Sequence, residues 1–131
     1  MIEKNKQLIR DYFDEVLKGD NPKPKYLIDK YISDQDYELK SHIEVFEVAF
    51  PLYCMHILDM IAEGNKVTVR FQFEGIHVEE FMGIPPSGKK ASFEGIIIYQ
   101  IESNKIINHW MSVDKAELIR QIQPEEAEVL L

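Results

Sequence analysis

At Pro51 the hydrophobic period of this chain changes from the helical 3.6 to the strand-like 2, and helices therefore come first and sheet afterwards. Upstream, Leu8, Ile9, Tyr12, Phe13, Val16 and Leu17 share one broad helical face, and Gly19 followed by Asp20-Asn21-Pro22 stops it. A shorter helical pattern holds Leu27, Ile28, Tyr31 and Ile32. A third holds Leu39, Ile43, Phe46 and Phe50, and Pro51 ends it. Downstream, residues 53–62 and 66–74 read as two strands around the turn Glu63-Gly64-Asn65. In the second of these, Val67, Val69, Phe71 and Phe73 occupy one face, with Thr68, Arg70, Gln72 and Glu74 on the other. A short strand over 78–82 precedes a Gly/Pro loop at 83–88. Strands over 91–102 and 105–113 meet at Ser103-Asn104, and a helix over 115–122 follows. The order predicts an α+β fold in which helices cover one face of a meandering antiparallel sheet, with a pocket between them where the sheet curves. One domain is expected over residues 1–131, with its core at about 5–123.

Composition narrows the function classes. The chain is 45% hydrophobic and 29% charged, as a globular domain is, and its formal charge is −8. A nucleic-acid partner is not expected, because such binders carry clustered positive charge. The single Cys54 rules out an internal disulfide. No secretory leader is recognisable at the N-terminus, and the apolar-rich stretch 45–61 is interrupted by Glu47, Pro51, His56 and Asp59, so no membrane partner is expected and the reading is cytoplasmic. His42, His56, His77 and His109 are scattered without metal-ligand spacing, so no metal is expected. The 83–89 loop has glycines, but Pro85-Pro86 removes two N–H donors and no helix follows, so it is not a phosphate cradle.

Several stretches, in order, resemble one family. They are Ala49-Phe50-Pro51, the hairpin running from Met60 through Glu63-Gly64-Asn65 to Phe71, Glu74-Gly75-Ile76-His77, the run from Phe81 through Gly83-Ile84-Pro85-Pro86-Ser87-Gly88 to Lys89, and the close Lys105-Ile106-Ile107-Asn108-His109-Trp110…Asp114…Leu118-Ile119-Arg120-Gln121-Ile122. Together they are similar to the SnoaL-like polyketide cyclases of the nuclear-transport-factor-2-like superfamily. That resemblance implies a cone-shaped, strongly curved mixed or antiparallel sheet with N-terminal helices enclosing an apolar pocket, and frequent homodimerisation through the sheet. It further implies a cofactor-free intramolecular aldol cyclisation with an aspartate as general acid/base. Asp114 stands at the matching position, and Gln100 stands where relatives often place Arg or His.

The residues themselves leave Asp114 two roles. In an apolar pocket its carboxylate would be a base for a proton next to a carbonyl. Three residues before Glu117, it also reads as the N-cap of the last helix, where a lowered pKa would make it a poor base. Trp110 shares a strand face with Asp114. With Trp110 turned into the pocket as a wall, His109 faces the dimer or solvent side. His77 is a second catalytic candidate, donating to a carbonyl or shuttling a proton, against a structural role in its turn. Gln100, on one face with Ile96 and Ile98, is a candidate for orienting a ligand. Tyr12, Phe13, Phe46 and Phe81 are the candidate aromatic contacts, against plain core packing. The expected function is a pocket protein for a small apolar carbonyl compound, a cyclase or isomerase without cofactor, and a homodimer. The alternative is a non-catalytic ligand-binding or homodimeric interaction domain.

Overall fold

The computed structural model describes residues 1–123, so residues 124–131 of the expected domain lie outside the described residues. Helices α1 (Ile2–Glu15), α2 (Lys25–Tyr31) and α3 (Tyr37–Ala49) come first, with a single 3-10 turn (Asp34–Asp36) before α3. Strands β1 (Cys54–Glu63), β2 (Lys66–Ile76), β3 (Lys90–Glu102) and β4 (Lys105–Val113) follow, and α4 (Lys115–Ile122) comes last. The strands form one curved antiparallel sheet in chain order. The segment expected as a short strand at 78–82 is instead a loop with one bridge, Phe81 to Ile84. Its tight turn carries positive φ at Met82 and Gly83. That geometry ends pairing after two residues.

Register assigns every strand residue to a face. Val67, Val69, Phe71 and Phe73 of β2 are at most 2% exposed, and their partners Met55, Ile57, Met60 and Ala62 on β1, and Phe93, Ile97 and Tyr99 on β3, lie on the same concave side. Each such side chain removed from water contributes on the order of 1.5–3 kcal/mol, so this face is the main stabilising surface. α1 lays Ile9, Tyr12 and Phe13 against β1 and β2, Val16 and Leu17 just past its end are buried with them, and α4 packs Leu118 and Ile122 against β3. The β3–β4 turn has positive φ at both Ser103 and Asn104, the twist that suits a two-residue hairpin.

Two irregularities position the site. Ile101 pairs with Ile106 but Gln100 pairs with Asn108, so Ile107 is an extra residue in β4. This bulge lets Ile106 face inward and still turns His109, Met111 and Val113 inward. The second is a parallel bridge from Ile32 to Ile106, tightened by the Ser33 N–H donating to the Ile106 carbonyl at 2.8 Å. It carries the chain from Ile32 to Asp36 alongside β4.

Candidate functional site

A cavity of about 680 Å³ opens between the concave sheet face and the helices. Aromatic rings wall one side: Phe46 meets Phe81 at 5.0 Å and Phe73 at 5.7 Å, and Phe73 stacks on Phe93 at 4.7 Å. Edge-on and face-on contacts of this kind hold the rings of the wall in place. Tyr12, Tyr53 and Tyr99 also line the cavity. Burial raises the pKa of all three phenols, with the charge of Asp36 pushing Tyr12 and Tyr99 the same way. They therefore keep their hydrogens at any physiological pH.

His109 and His42 bring the chemistry. The bulge in β4 turns His109 into the cavity, where it lies opposite Tyr99 in the register. Its Nδ1 lies 2.7 Å from Oδ2 of Asp36, whose side chain is only 4% exposed. Oδ1 of Asp36 accepts the Leu39 N–H at 3.1 Å and caps α3. Both oxygens of this buried carboxylate are thus satisfied, as burial requires. The carboxylate accepts, so Nδ1 carries the hydrogen and Nε2 keeps its lone pair. A ring held in that tautomer beside an anion takes a proton at Nε2 and has its counter-charge already in place.

His42 comes from α3, one turn before Phe46, and stacks on that ring at 4.4 Å. It lines the cavity without a hydrogen-bond partner among the described residues. Burial lowers its pKa to about 4, and Lys115, together with His109 whenever that ring is protonated, pushes the same way. His42 is therefore a neutral imidazole at pH 7.

A family model for SnoaL-like polyketide cyclases matches residues 33–122. The chain belongs to the SnoaL-like polyketide cyclase family. Among solved structures it is similar to TsrD from Streptomyces laurentii, at 24% identity and a TM-score of 0.77, with 92% of this chain and 95% of TsrD covered. It is also similar to AclR from Streptomyces galilaeus, a candidate hydroxylase, at 20% identity and a TM-score of 0.79, with 93% and 97% covered. A candidate SnoaL-like polyketide cyclase from Jannaschia sp. CCS1 is similar at 16% identity and a TM-score of 0.79, with 92% of each chain covered. At these identities the likeness shows the nuclear-transport-factor-2-like fold. A comparison with curated proteins gives no match.

Within this SnoaL-like frame, Tyr12, Phe46 and Phe81, three of the candidate aromatic contacts, line the cavity. Phe13 does not. It is 4% exposed behind the wall, edge-on to Tyr12 and Tyr99. Trp110 and Gln100 are on the opposite, convex face, since Trp110 pairs with Ile98 and Gln100 with Lys66. Trp110 is 47% exposed and carries the Lys66 ammonium 5.7 Å above its ring. Asp114 shows the capping geometry, its Oδ1 accepting the Glu117 N–H at 3.0 Å. His77 is fully buried outside the cavity. Its Nδ1 contacts the Ser87 hydroxyl at 2.9 Å and accepts the Ser87 N–H at 3.2 Å, which ties the 77–89 loop together. Burial lowers the His77 pKa, with the Glu79 backbone opposing.

His109 was expected on the outer face and is on the inner one, because Trp110 is the exception in its strand rather than the rule. The inner set of β4 is Met111 and Val113, and the outer set includes Asn108 and Ser112. That polarity difference was the available signal for His109. Asp36, just ahead of the helical pattern that contains Leu39, had the signal of an N-cap and none of its contact with β4.

Proposed function

We propose that this SnoaL-like protein is a cytoplasmic, cofactor-independent cyclase or isomerase that removes a proton next to the carbonyl of a planar apolar compound, with His109 as the base and Asp36 as its positioning residue. The observation that carries this reading is the 2.7 Å Asp36–His109 contact at the wall of an aromatic cavity. Proton abstraction there needs a base with an open lone pair, a donor for the developing oxyanion and an apolar enclosure. Nε2 of His109 is the first, and the cavity supplies the others. The proton taken from carbon goes to Nε2, and the C–H electron pair becomes the enolate. In an aldol closure the enolate carbon attacks a second carbonyl, and His109 returns the proton to the new alkoxide. In an isomerisation it returns the proton to another carbon.

The capping role of Asp114 supports a second reading, a non-catalytic ligand-binding domain, because the residue at the family's acid/base position is engaged by the helix. The two readings differ in α-proton exchange. Incubating 2-tetralone in D₂O with wild type, His109→Gln and Asp114→Asn separates them by NMR. Exchange by wild type and Asp114→Asn but not by His109→Gln supports His109 as the base. Exchange lost only in Asp114→Asn returns the role to Asp114. No exchange by wild type leaves the binding domain.

The convex face supports a homodimer as the working form. Ile61, Thr68, Ile98 and Trp110 are register partners in one row across all four strands. Ile61 at one end of the row is 67% exposed and Trp110 at the other is 47% exposed, and Ile96 on the same face is 47% exposed. An apolar row of this kind suits an isologous sheet-to-sheet contact.

A further inference from the structure

We propose that His42 is the residue that holds the substrate's carbonyl oxygen, as a neutral imidazole donating an N–H hydrogen bond, while His109 takes the proton. This rests on the reading of the cavity as a proton-transfer site. His42 and His109 both line one cavity, yet they are built for opposite work. His109 has a buried carboxylate at Nδ1, so a positive charge on its ring is compensated. His42 has no protein partner at either nitrogen among the described residues, and it is fixed by stacking on Phe46 at 4.4 Å with the planes 28° apart. An imidazole held by its face and free at its edge offers that edge to whatever enters the cavity.

The groups around His42 keep it uncharged. Glu38, on its own helix, also lines the cavity, but burial acts first against a charge on His42 and the Lys115 ammonium acts the same way. When His109 gains the substrate proton, its new charge makes a charge on His42 still less favourable. The two histidines therefore do not exchange roles during a turnover. A neutral N–H donor is also better matched than an imidazolium to an enolate oxygen that must later be released, because it lends a hydrogen bond without giving up its proton. In the step itself the α-C–H bond breaks, its proton binds Nε2 of His109, the electron pair forms the enolate C=C bond, and the carbonyl π pair moves to oxygen. That oxygen accepts from His42.

The test uses 2-naphthol, whose fused ring and hydroxyl reproduce the enol of 2-tetralone, and follows its binding by fluorescence beside tetralone exchange by NMR. His42→Phe keeps a ring for the Phe46 stack and removes the donor, and His42→Gln keeps an N–H. The expected result is a loss of about tenfold or more in naphthol affinity and in exchange rate for His42→Phe, partial recovery in His42→Gln, and a ¹⁵N spectrum of His42 in wild type that stays neutral from pH 5 to 8. Equal naphthol affinity and equal exchange in wild type and His42→Phe would overturn the proposal while leaving His109 as the base. Naphthol binding that depends on His42 with no exchange by any form would keep the donor role and remove the proton-transfer reading instead.

Discussion

Asp36 and His109 are 73 positions apart, and a single carboxylate binds both the first turn of α3 and the imidazole of β4. One oxygen caps the helix through Leu39, and the other orients the histidine. The helix that presents His42 and Phe46 to the cavity is thus locked to the strand that presents His109. Site geometry and local folding share one buried group. Its position follows from the Ile32–Ile106 bridge and the extra residue in β4, neither of which has a hydrophobic pattern of its own.

Asp36→Asn separates the two jobs. Asparagine is as good an N-cap as aspartate, so α3 keeps its start and the melting temperature stays within a few degrees of wild type. The amide also offers an N–H toward Nδ1, which favours the tautomer with hydrogen on Nε2 and removes the lone pair the reaction uses. The expected outcome is a fall in kcat of about 10²-fold or more with KM little changed. Steady-state kinetics beside a thermal melt checks it, and an unchanged kcat would reduce Asp36 to a cap.

Asp114 is expected to behave as a cap residue only. Asp114→Ala removes the acceptor for the Glu117 N–H and costs about 1 kcal/mol, because α4 seats Leu118 and Ile122 in the core. Asp114→Asn costs a few tenths of that. Both variants, once folded, are expected to exchange tetralone protons at the wild-type rate. Denaturant melts give the first quantity and NMR the second.

Legibility from the sequence stopped where chain-distant contacts began. Period and turn residues are local, so the helices, the four strands and the Ser103-Asn104 hairpin could be read directly. The aromatic wall was partly legible, since Tyr12 and Phe46 fall on helical faces that must be covered. The Asp36–His109 pair was not. Trp110, the largest apolar side chain of β4, suggested the wrong inner face, because a large ring on an exposed sheet looks the same in sequence as a buried one. The bulge at Ile107 then changes the parity within the strand, and a period-two reading carries no mark of it.

The convex row gives a prediction about assembly. Ile61→Glu places a carboxylate at the β1 end of this row, and in an isologous contact the change enters twice, once from each copy. Wild type is expected to sediment as a dimer and Ile61→Glu as a folded monomer, with naphthol affinity unaltered because Ile61 faces away from the cavity. A wild-type monomer in sedimentation equilibrium would discard the dimer.

Gly95 tests how closely the cavity floor is packed. A Cβ there would lie 2.5 Å from Cζ of Phe71 and 2.6 Å from Cγ1 of Val113, both of which line the cavity. Gly95→Ala must therefore displace a ring or a strand, at a cost of about 1–3 kcal/mol, and it should also weaken naphthol binding by moving Phe71. Chemical denaturation and the fluorescence titration read the two effects.

Acid stability reports on His42 directly. Its pKa is about 4 in the folded protein and about 6.5 in an unfolded chain, so between those values the unfolded chain binds more protons. Stability therefore rises with pH across this window and is lost as pH falls from about 6.5 to 4, by at most about 3 kcal/mol from this residue. His77, whose pKa burial also lowers, acts in the same direction, so wild type alone does not isolate His42. The difference between wild type and His42→Phe does. Urea unfolding at half-unit steps from pH 4 to 7.5 is expected to give a shallower acid slope in the variant. Parallel slopes would mean that His42 is hydrated well enough to charge in the folded state, and a charged His42 at pH 5 could not be the neutral donor.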